Sequence, residues 1–268
     1  MLLFAKLKKE MLILKVTAFV GSARKKHTYN AVKQFLEELQ SFGNVEYEIV
    51  CLSDYNLKIC KGCKLCLDRE ENLCPLADDR DKLIEKLMHS DGIVFASPNY
   101  SFQVSGYMKV FLDRLAFFLH RPQFFGKTYT SIVAQGIFGG NKIIKYLNQM
   151  GEGMGFNTVK GTCIKTLEPI PEKQQRKNNE KIKKLSNKFY SQLIKNEYPT
   201  PSLFKLMLFR MSRTSINKSL DEEYKDYIYY KEKGWFDSDY YYPVNLNPFK
   251  KMVGKLFDII AVRMSKSN

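Results

Sequence analysis

The chain has 268 residues, of which 44% are hydrophobic, and this is enough for a sizeable buried core. No stretch approaches 18 consecutive apolar residues, which excludes a membrane-spanning helix. The net charge of +15 fits either a solvated surface or an anionic partner, and the lack of a nucleic-acid motif argues against nucleic acid as that partner.

Residues 1–11 precede the first predicted strand, and we expect them to be a dispensable leader. Their lysines interrupt the apolar run that a signal peptide would need. Without an export signal we expect a cytoplasmic protein. In that reducing compartment, clustered cysteines more often bind metal or carry out redox chemistry than form disulfides.

Five short apolar segments predict buried parallel strands, and five segments with helical spacing alternate with them. The predicted strands are 13–22, 45–52, 92–98, 128–136 and 157–164. The predicted helices are 28–43 (with Thr28 as its N-cap), 78–91, 104–119, 141–155 and 171–198. This alternation predicts an α/β fold with a doubly wound, five-stranded parallel sheet, and such sheets bind ligands beyond the carboxyl ends of their strands.

The sequence changes character after about residue 198. We therefore predict one domain over 12–198, which includes the cysteine segment 60–74, and a helical, Tyr-rich extension over 199–268. The extension could pack on the rest of the chain, cover a ligand site, or lie on a membrane with its lysines facing anionic headgroups. One face of the predicted terminal helix carries Phe249, Met252, Val253, Leu256, Phe257 and Ile260.

The segment GSARKKHT, residues 21–28, connects the first strand to the first helix. The hydroxyls of Ser22 and Thr28, the following helix N-terminus and the Arg24 cation could together hold a phosphate. The segment has neither the G-x-G-x-x-G nor the Walker pattern, and an ordinary polar turn is the alternative.

This segment, together with SPNYSFQVSGYMKVFLDR over 97–114, resembles the flavodoxin-like NADPH-dependent FMN reductase family. The resemblance covers about residues 12–165 and implies a sheet order of 2-1-3-4-5. It also implies that the first loop holds the FMN phosphate, that the second runs along the isoalloxazine ring, and that the loop 135–140 closes on the ring's other edge. By this resemblance the FMN-binding residues are Ser22, Arg24, Thr28, Pro98, Asn99, Tyr100, Phe102, Gln135 and Gly136.

The second motif has a physical interpretation. Aromatic side chains can stack on a flavin or border it, and the cofactor then carries the chemistry without a catalytic side chain. The alternative is that Tyr100 and Phe102 only cap the sheet. We expect Asp113 and Arg114 to form a local ion pair.

Four of the six cysteines lie in CKGCKLCLDREENLC, with the spacing C-x2-C-x2-C-x7-C followed by Pro75. The triplet matches the spacing at which three thiolates bind one face of a [4Fe–4S] cluster. Zinc and a metal-free cysteine loop stay open as alternatives. The pattern resembles the iron–sulfur flavoprotein branch of the same family, which implies Cys60, Cys63, Cys66 and Cys74 as cluster ligands. Cys51 and Cys163 fall in strands and should be buried.

The resulting hypothesis is an FMN-dependent oxidoreductase that takes electrons from NAD(P)H or a ferredoxin-like donor and exchanges them with a [4Fe–4S] cluster. One alternative is an electron-carrier flavoprotein without its own substrate. The other is a binding module that uses the flavodoxin fold without FMN. The resemblance also suggests a homo-oligomer, because a partner subunit often covers an exposed flavin.

Overall fold

The computed structural model describes residues 13–195 and 197–265, so the predicted leader lies outside the described residues. These residues form two compact units. The first contains 13–60 and 77–195, and the second contains 61–76 together with 197–265. The predicted domain boundaries stay a prediction. None of the described helices is long and apolar enough to cross a membrane.

The first unit contains a parallel sheet in the order β2-β1-β3-β4-β5, with β6 also paired to β4. This confirms the predicted flavodoxin-like order, in which β2 lies on one side of β1 and the later strands follow one another on the other side. The strands are β1 (Leu14–Val20), β2 (Val45–Cys51), β3 (Gly92–Pro98), β4 (Thr128–Gln135), β5 (Asn157–Thr158) and β6 (Thr162–Lys165).

The predicted fifth strand is interrupted, so β5 and β6 occupy its position as two short segments along β4. Between them the backbone comes very close to β4, and a Cβ at Gly161 would lie 2.2 Å from Ser131 Oγ. Asn148 Oδ1 accepts hydrogen bonds from both Ser131 Oγ at 3.2 Å and Gly161 N at 3.4 Å. These side-chain bonds take the place of regular ladder bonds at the interruption.

Six helices cover the sheet, and two of them differ from the predictions. The first begins at His27, so Thr28 is a buried residue inside it, and no described side chain caps its N-terminus. The predicted helix 104–119 is two helices, because the backbone leaves the helical region at Leu115 (φ −105°, ψ 9°). The helices are α1 (His27–Phe42), α2 (Arg80–Met88), α3 (Gly106–Arg114), α4 (Phe117–His120), α5 (Gly140–Gly153) and α6 (Glu172–Leu193).

The core lies on both faces of the sheet, so every residue of β3 is buried. On one face α1 and α6 meet, and Phe35 packs edge-on against Phe189 with ring centroids 5.3 Å apart. The other face is aromatic: Phe19 stacks on Phe111 at 5.0 Å, and Phe95 packs edge-on against Phe111 at 5.6 Å. This double burial fixes the strand ends from which the site loops emerge.

The second unit is helical and contains α7 (Leu203–Ser219), α8 (Lys225–Glu232) and α9 (Pro248–Ser265). It also contains two short helical turns in the cysteine segment, Leu65–Asp68 and Glu71–Leu73. Helices α7 and α9 run parallel, since Lys250 Nζ donates to Pro201 O and, further along, Arg213 donates to Asp258. The tyrosine-rich segment forms an aromatic cluster around Trp235.

Candidate functional site

The first loop of the site follows β1 and leads into α1. Gly21 N donates to Ala96 O at 2.8 Å, which holds the loop against β3. A Cβ at Gly21 would lie 2.6 Å from Ser105 Oγ, so only glycine fits there. Ser22 is buried, and its hydroxyl donates to Arg24 O at 2.9 Å. The loop therefore brings Ser22, the exposed Arg24 and the uncapped N-terminus of α1 to one place.

The second loop follows β3 and makes a tight turn. Tyr100 and Gln103 exchange two backbone hydrogen bonds, and the residues between them, Ser101 and Phe102, have φ of 49° and 63°. Left-handed backbone is costly for a side chain as large as that of phenylalanine, so this turn is a strained feature. Its result is that Tyr100 and Phe102 stand out into solvent, 49% and 56% exposed.

Asn99 links the second loop to the third, which follows β4. Its backbone N donates to Ala134 O at 2.7 Å, and its Nδ2 donates to Phe138 O at 2.9 Å. Asn99 Oδ1 is buried and has no hydrogen-bond partner within 13–195 and 197–265. An unpaired buried carbonyl oxygen is costly unless a ligand supplies a donor.

The third loop packs against the second through Phe102. Its ring lies 5.3 Å from that of Phe138, and a Cβ at Gly139 (φ 98°) would lie 2.8 Å from Phe102 Cδ1. Gln135 braces the loop from within, because its Oε1 accepts from Gly140 N at 2.6 Å. Ile137 and Phe138 are largely exposed, so this loop adds apolar surface next to the second loop.

The three loops meet in one cleft of about 270 Å³ at the carboxyl ends of the strands. Of the nine predicted FMN-binding residues, Phe102 and Gln135 do not line this cleft but hold its loops in place. The other seven line it: Ser22, Arg24, Thr28, Pro98, Asn99, Tyr100 and Gly136.

Sequence reasoning missed several lining residues, among them Lys26, His27 and the segment 166–168 after β6. His27 Nε2 lies 2.8 Å from Glu168 Oε1, so this pair joins the first loop to the end of the last strand. The hydrogen bond from His27 and its charge lower the pKa of Glu168. The signal that could have found Glu168 is its position just beyond the carboxyl end of the fifth strand.

The cysteines fall into two groups by environment. Cys51 and Cys163 are buried in strands, as predicted, and burial raises the pKa of Cys163 to about 11. Cys60 and Cys63 are exposed, whereas Cys66 and Cys74 are half-buried. No three His, Cys, Asp or Glu side chains are close enough to hold a metal ion anywhere in the described ranges. The described arrangement of the cysteine segment is therefore not that of a formed metal site.

The two ends of the cysteine segment are tied together within the first unit. The Arg114 guanidinium donates to Lys58 O at 2.9 Å and forms an ion pair with Asp78. Asp78 also accepts from Lys58 N at 2.9 Å. The expected Asp113–Arg114 pair is thus wrong: Asp113 pairs with Lys109, one helical turn earlier. Arg114 points inward toward the buried carboxylate of Asp78.

The Asp78–Arg114 pair is almost fully buried, with side chains 1% and 2% exposed. Burial alone would raise the pKa of Asp78, but hydrogen bonds from Arg114 and from two backbone N–H groups outweigh it and lower this pKa. The carboxylate therefore stays ionised, and α3, which follows the second loop, is fixed to the base of the cysteine segment.

A flavodoxin-like sheet with this cleft at its strand ends defines an α/β protein of the nucleotide-cofactor-binding kind. The model of the NADPH-dependent FMN reductase family matches residues 14–165, and the chain belongs to that family. With this family and this fold, the chain is a flavin-dependent oxidoreductase.

Individual relatives agree with the family assignment. An iron–sulfur flavoprotein from Archaeoglobus fulgidus is 31% identical over 226 residues, which are 83% of this chain and 100% of that protein. An iron–sulfur flavoprotein from Clostridioides difficile is 29% identical over 180 residues, 65% of this chain and 77% of that protein. The crystal structure of an azoreductase from Bacillus anthracis shares the fold, with a TM-score of 0.53 at 17% identity, over 66% of this chain and 100% of that one.

Proposed function

We propose that the cleft binds FMN and that the protein passes electrons from a reduced nicotinamide nucleotide, NADPH or NADH, to an acceptor. The observation that carries this proposal is the convergence of the loops after β1, β3 and β4 on one cleft. The unpaired Asn99 Oδ1 and the strained turn at Phe102 lie at the same cleft and support a ligand there.

The end of the cleft formed by the first loop suits the FMN phosphate. The first backbone N–H groups of α1 have no described side-chain cap, and the helix dipole favours an anion there. Thr28 supplies a hydroxyl donor, and Ser22 supplies another when its hydroxyl turns from Arg24 O to the phosphate. Arg24 and Lys26 supply positive charge.

The other end of the cleft suits an isoalloxazine ring. Tyr100 offers an exposed aromatic face, and Asn99 Oδ1 offers an acceptor for an N–H group. Gly136 also lines the cleft, without a side chain that would fill the space. When bound, FMN would accept a hydride and pass its electrons on. The chain's own residues would bind and orient the cofactor.

The phosphate assignment is tested by comparing FMN with riboflavin, which lacks the phosphate. We expect Arg24→Gln to raise the Kd for FMN about tenfold, the usual loss for a charge-assisted hydrogen bond, and to leave riboflavin binding within twofold. Arg176→Gln, on the exposed side of α6, is the matched control and should change neither. Equal weakening of both flavins would place the phosphate elsewhere.

The electron donor is tested by anaerobic reduction of the FMN-loaded protein. We expect NADPH to bleach the flavin absorbance within seconds. A protein that NADPH and NADH leave oxidised, but that a reduced ferredoxin bleaches, would instead be an electron carrier without a nicotinamide substrate. The positive net charge suits an acidic ferredoxin, so reduced ferredoxin should be compared directly with NADPH and NADH as the electron donor.

We also propose that Cys60, Cys63, Cys66 and Cys74 bind a [4Fe–4S] cluster. Four thiols within 15 residues, none of them deeply buried, are the donor set that such a cluster takes. Because the described side chains form no metal-binding group, cluster binding requires the segment to rearrange. The cluster would supply single-electron exchange.

Iron analysis of anaerobically purified protein tests the cluster assignment. We expect about four irons per chain, and we expect Cys63→Ser to lose most of them. Cys163→Ala changes a buried strand cysteine and should retain the iron, which makes it the control. Stoichiometric zinc, or no metal in protein that retains flavin, would refute the cluster while leaving the flavin proposal intact.

A further inference from the structure

Helices α7 and α9 of the second unit present large hydrophobic side chains to solvent. On α9 they recur at the spacing of one helical face, the face that the sequence predicts to be apolar. The side chains concerned are between 37% and 63% exposed: Leu203, Phe204 and Leu208 on α7, and Phe249, Met252, Leu256, Ile259, Ile260 and Met264 on α9. We refer to these nine side chains as the α7–α9 face.

This face is distinct from the side through which the two helices pack. Gly254 and Ala261 are the buried positions of α9, and a Cβ at Gly254 would lie 3.2 Å from Arg210 Nε on α7. The helices thus meet through small residues and an internal ion-pair network. Monomeric proteins rarely expose so many large apolar side chains together unless the surface binds something.

The charges that the two helices themselves carry are almost all positive. Lys218, Lys251 and Lys255 are exposed on the two helices. Asp258 is the only acidic residue in their sequences, and its carboxylate is already paired with Arg210 and Arg213. The basic rim therefore has no acidic counterpart on α7 or α9.

This charge pattern distinguishes between two possible partners of the α7–α9 face, a second copy of the chain and a lipid surface. A second copy docked face to face would set these lysines against their own symmetry mates, with no carboxylate on the same helices to receive them. An anionic lipid surface accepts both features, because its headgroups attract lysines and its acyl boundary takes up phenylalanine, leucine and methionine.

We propose that the α7–α9 face binds the surface of a bilayer that contains anionic lipid. The apolar side chains enter the boundary between headgroups and acyl chains, and Lys251 and Lys255 lie at the level of the headgroups. This interfacial position differs from membrane spanning, and it depends neither on FMN nor on the cysteine segment.

Co-sedimentation of the full chain with vesicles tests the proposal. The expected result is binding to vesicles of phosphatidylcholine with 30 mol% phosphatidylglycerol, at least tenfold weaker binding to pure phosphatidylcholine, and weaker binding at high salt. Met252→Gln/Leu256→Gln should lower the partition coefficient at least tenfold on the anionic vesicles. Met88→Gln, an exposed methionine of the first unit, is the apolar control and should not change it.

The charge contribution is tested by Lys251→Gln/Lys255→Gln, for which we expect a loss of about 10- to 30-fold on anionic vesicles. Lys173→Gln/Lys177→Gln removes two exposed lysines with the same spacing on α6 and should stay within twofold. No binding to anionic vesicles overturns the proposal. A dimer in sedimentation velocity that Met252→Gln/Leu256→Gln dissociates would also overturn it, because the face would then bind a second copy.

Discussion

Replacing Arg114 by methionine removes one partner from the buried ion pair that ties α3 to the base of the cysteine segment. The Asp78 carboxylate would stay buried while losing its cation, and such a loss typically costs about 3–5 kcal/mol. Backbone N–H groups of Lys58 and Arg80 still donate to Asp78, so we expect the lower end of that range, about 3 kcal/mol at pH 7.

The pH dependence gives this prediction a second, independent readout. The lowered pKa of Asp78 stabilises the wild-type fold above the pKa of an unfolded aspartate, about 4, and this contribution is lost as pH falls through the folded value. In Arg114→Met the strongest contact that lowers the pKa of Asp78 is lost, so this pKa should lie above its wild-type value. The wild-type protein loses the stabilising ion pair as pH falls through its lowered pKa, whereas the variant has no such pair to lose. The difference in free energy of unfolding between wild type and variant should therefore narrow as pH falls below about 4.

The difference in free energy of unfolding between wild type and Arg114→Met is measured by urea titration, with far-UV circular dichroism as the signal. Fluorescence of Trp235, the only tryptophan, follows the second unit separately. Arg176→Met changes an exposed arginine and should cost less than about 0.5 kcal/mol. A loss below about 1 kcal/mol at pH 7, or a gap that does not change with pH, would refute the reasoning.

Two further predictions concern the cleft. Gly21→Ala should destabilise the first unit by about 1–3 kcal/mol, because its Cβ would lie 2.6 Å from Ser105 Oγ. Gly106→Ala is the control, since a Cβ there meets open space and should cost little in the same urea experiment. Equal losses of stability in the two variants would contradict the crowding argument. Glu168→Gln removes a negative charge that pairs with His27 beside the proposed phosphate site. At low salt this should tighten FMN binding about two- to fivefold, as measured by flavin fluorescence titration. Weaker binding would instead show that the Glu168–His27 pair supports the site.

Much of the first unit follows from local patterns in the sequence. The central strand segments are mostly apolar, and alternation of strands with amphipathic helices leaves few arrangements for a parallel sheet. The places where prediction was wrong depend on contacts that are distant in sequence. The break in the fifth strand depends on Ser131 and Asn148, and the inward direction of Arg114 depends on Asp78.

In the candidate site, too, local sequence patterns predict some features, and others depend on contacts between residues far apart in the sequence. The loops after the first, third and fourth strands could be located because each has its own motif and a defined position at a strand end. Glu168 lies outside every motif and is 141 residues from His27, so only the structure brings the two side chains together. The sequence predicts an apolar side for the terminal helix and leaves open whether it packs on the rest of the chain, covers a ligand site or lies on a membrane. Its exposure could not be predicted, because an amphipathic pattern does not tell whether its apolar side is covered.

Titration of the flavin-free protein with FMN tests the central claim most directly. We predict saturation at one FMN per chain with quenched flavin fluorescence, since Tyr100 would lie against the ring. Tyr100→Ala should then restore much of that fluorescence in the bound state. A protein that takes up no FMN under any reducing or oxidising condition would contradict the account.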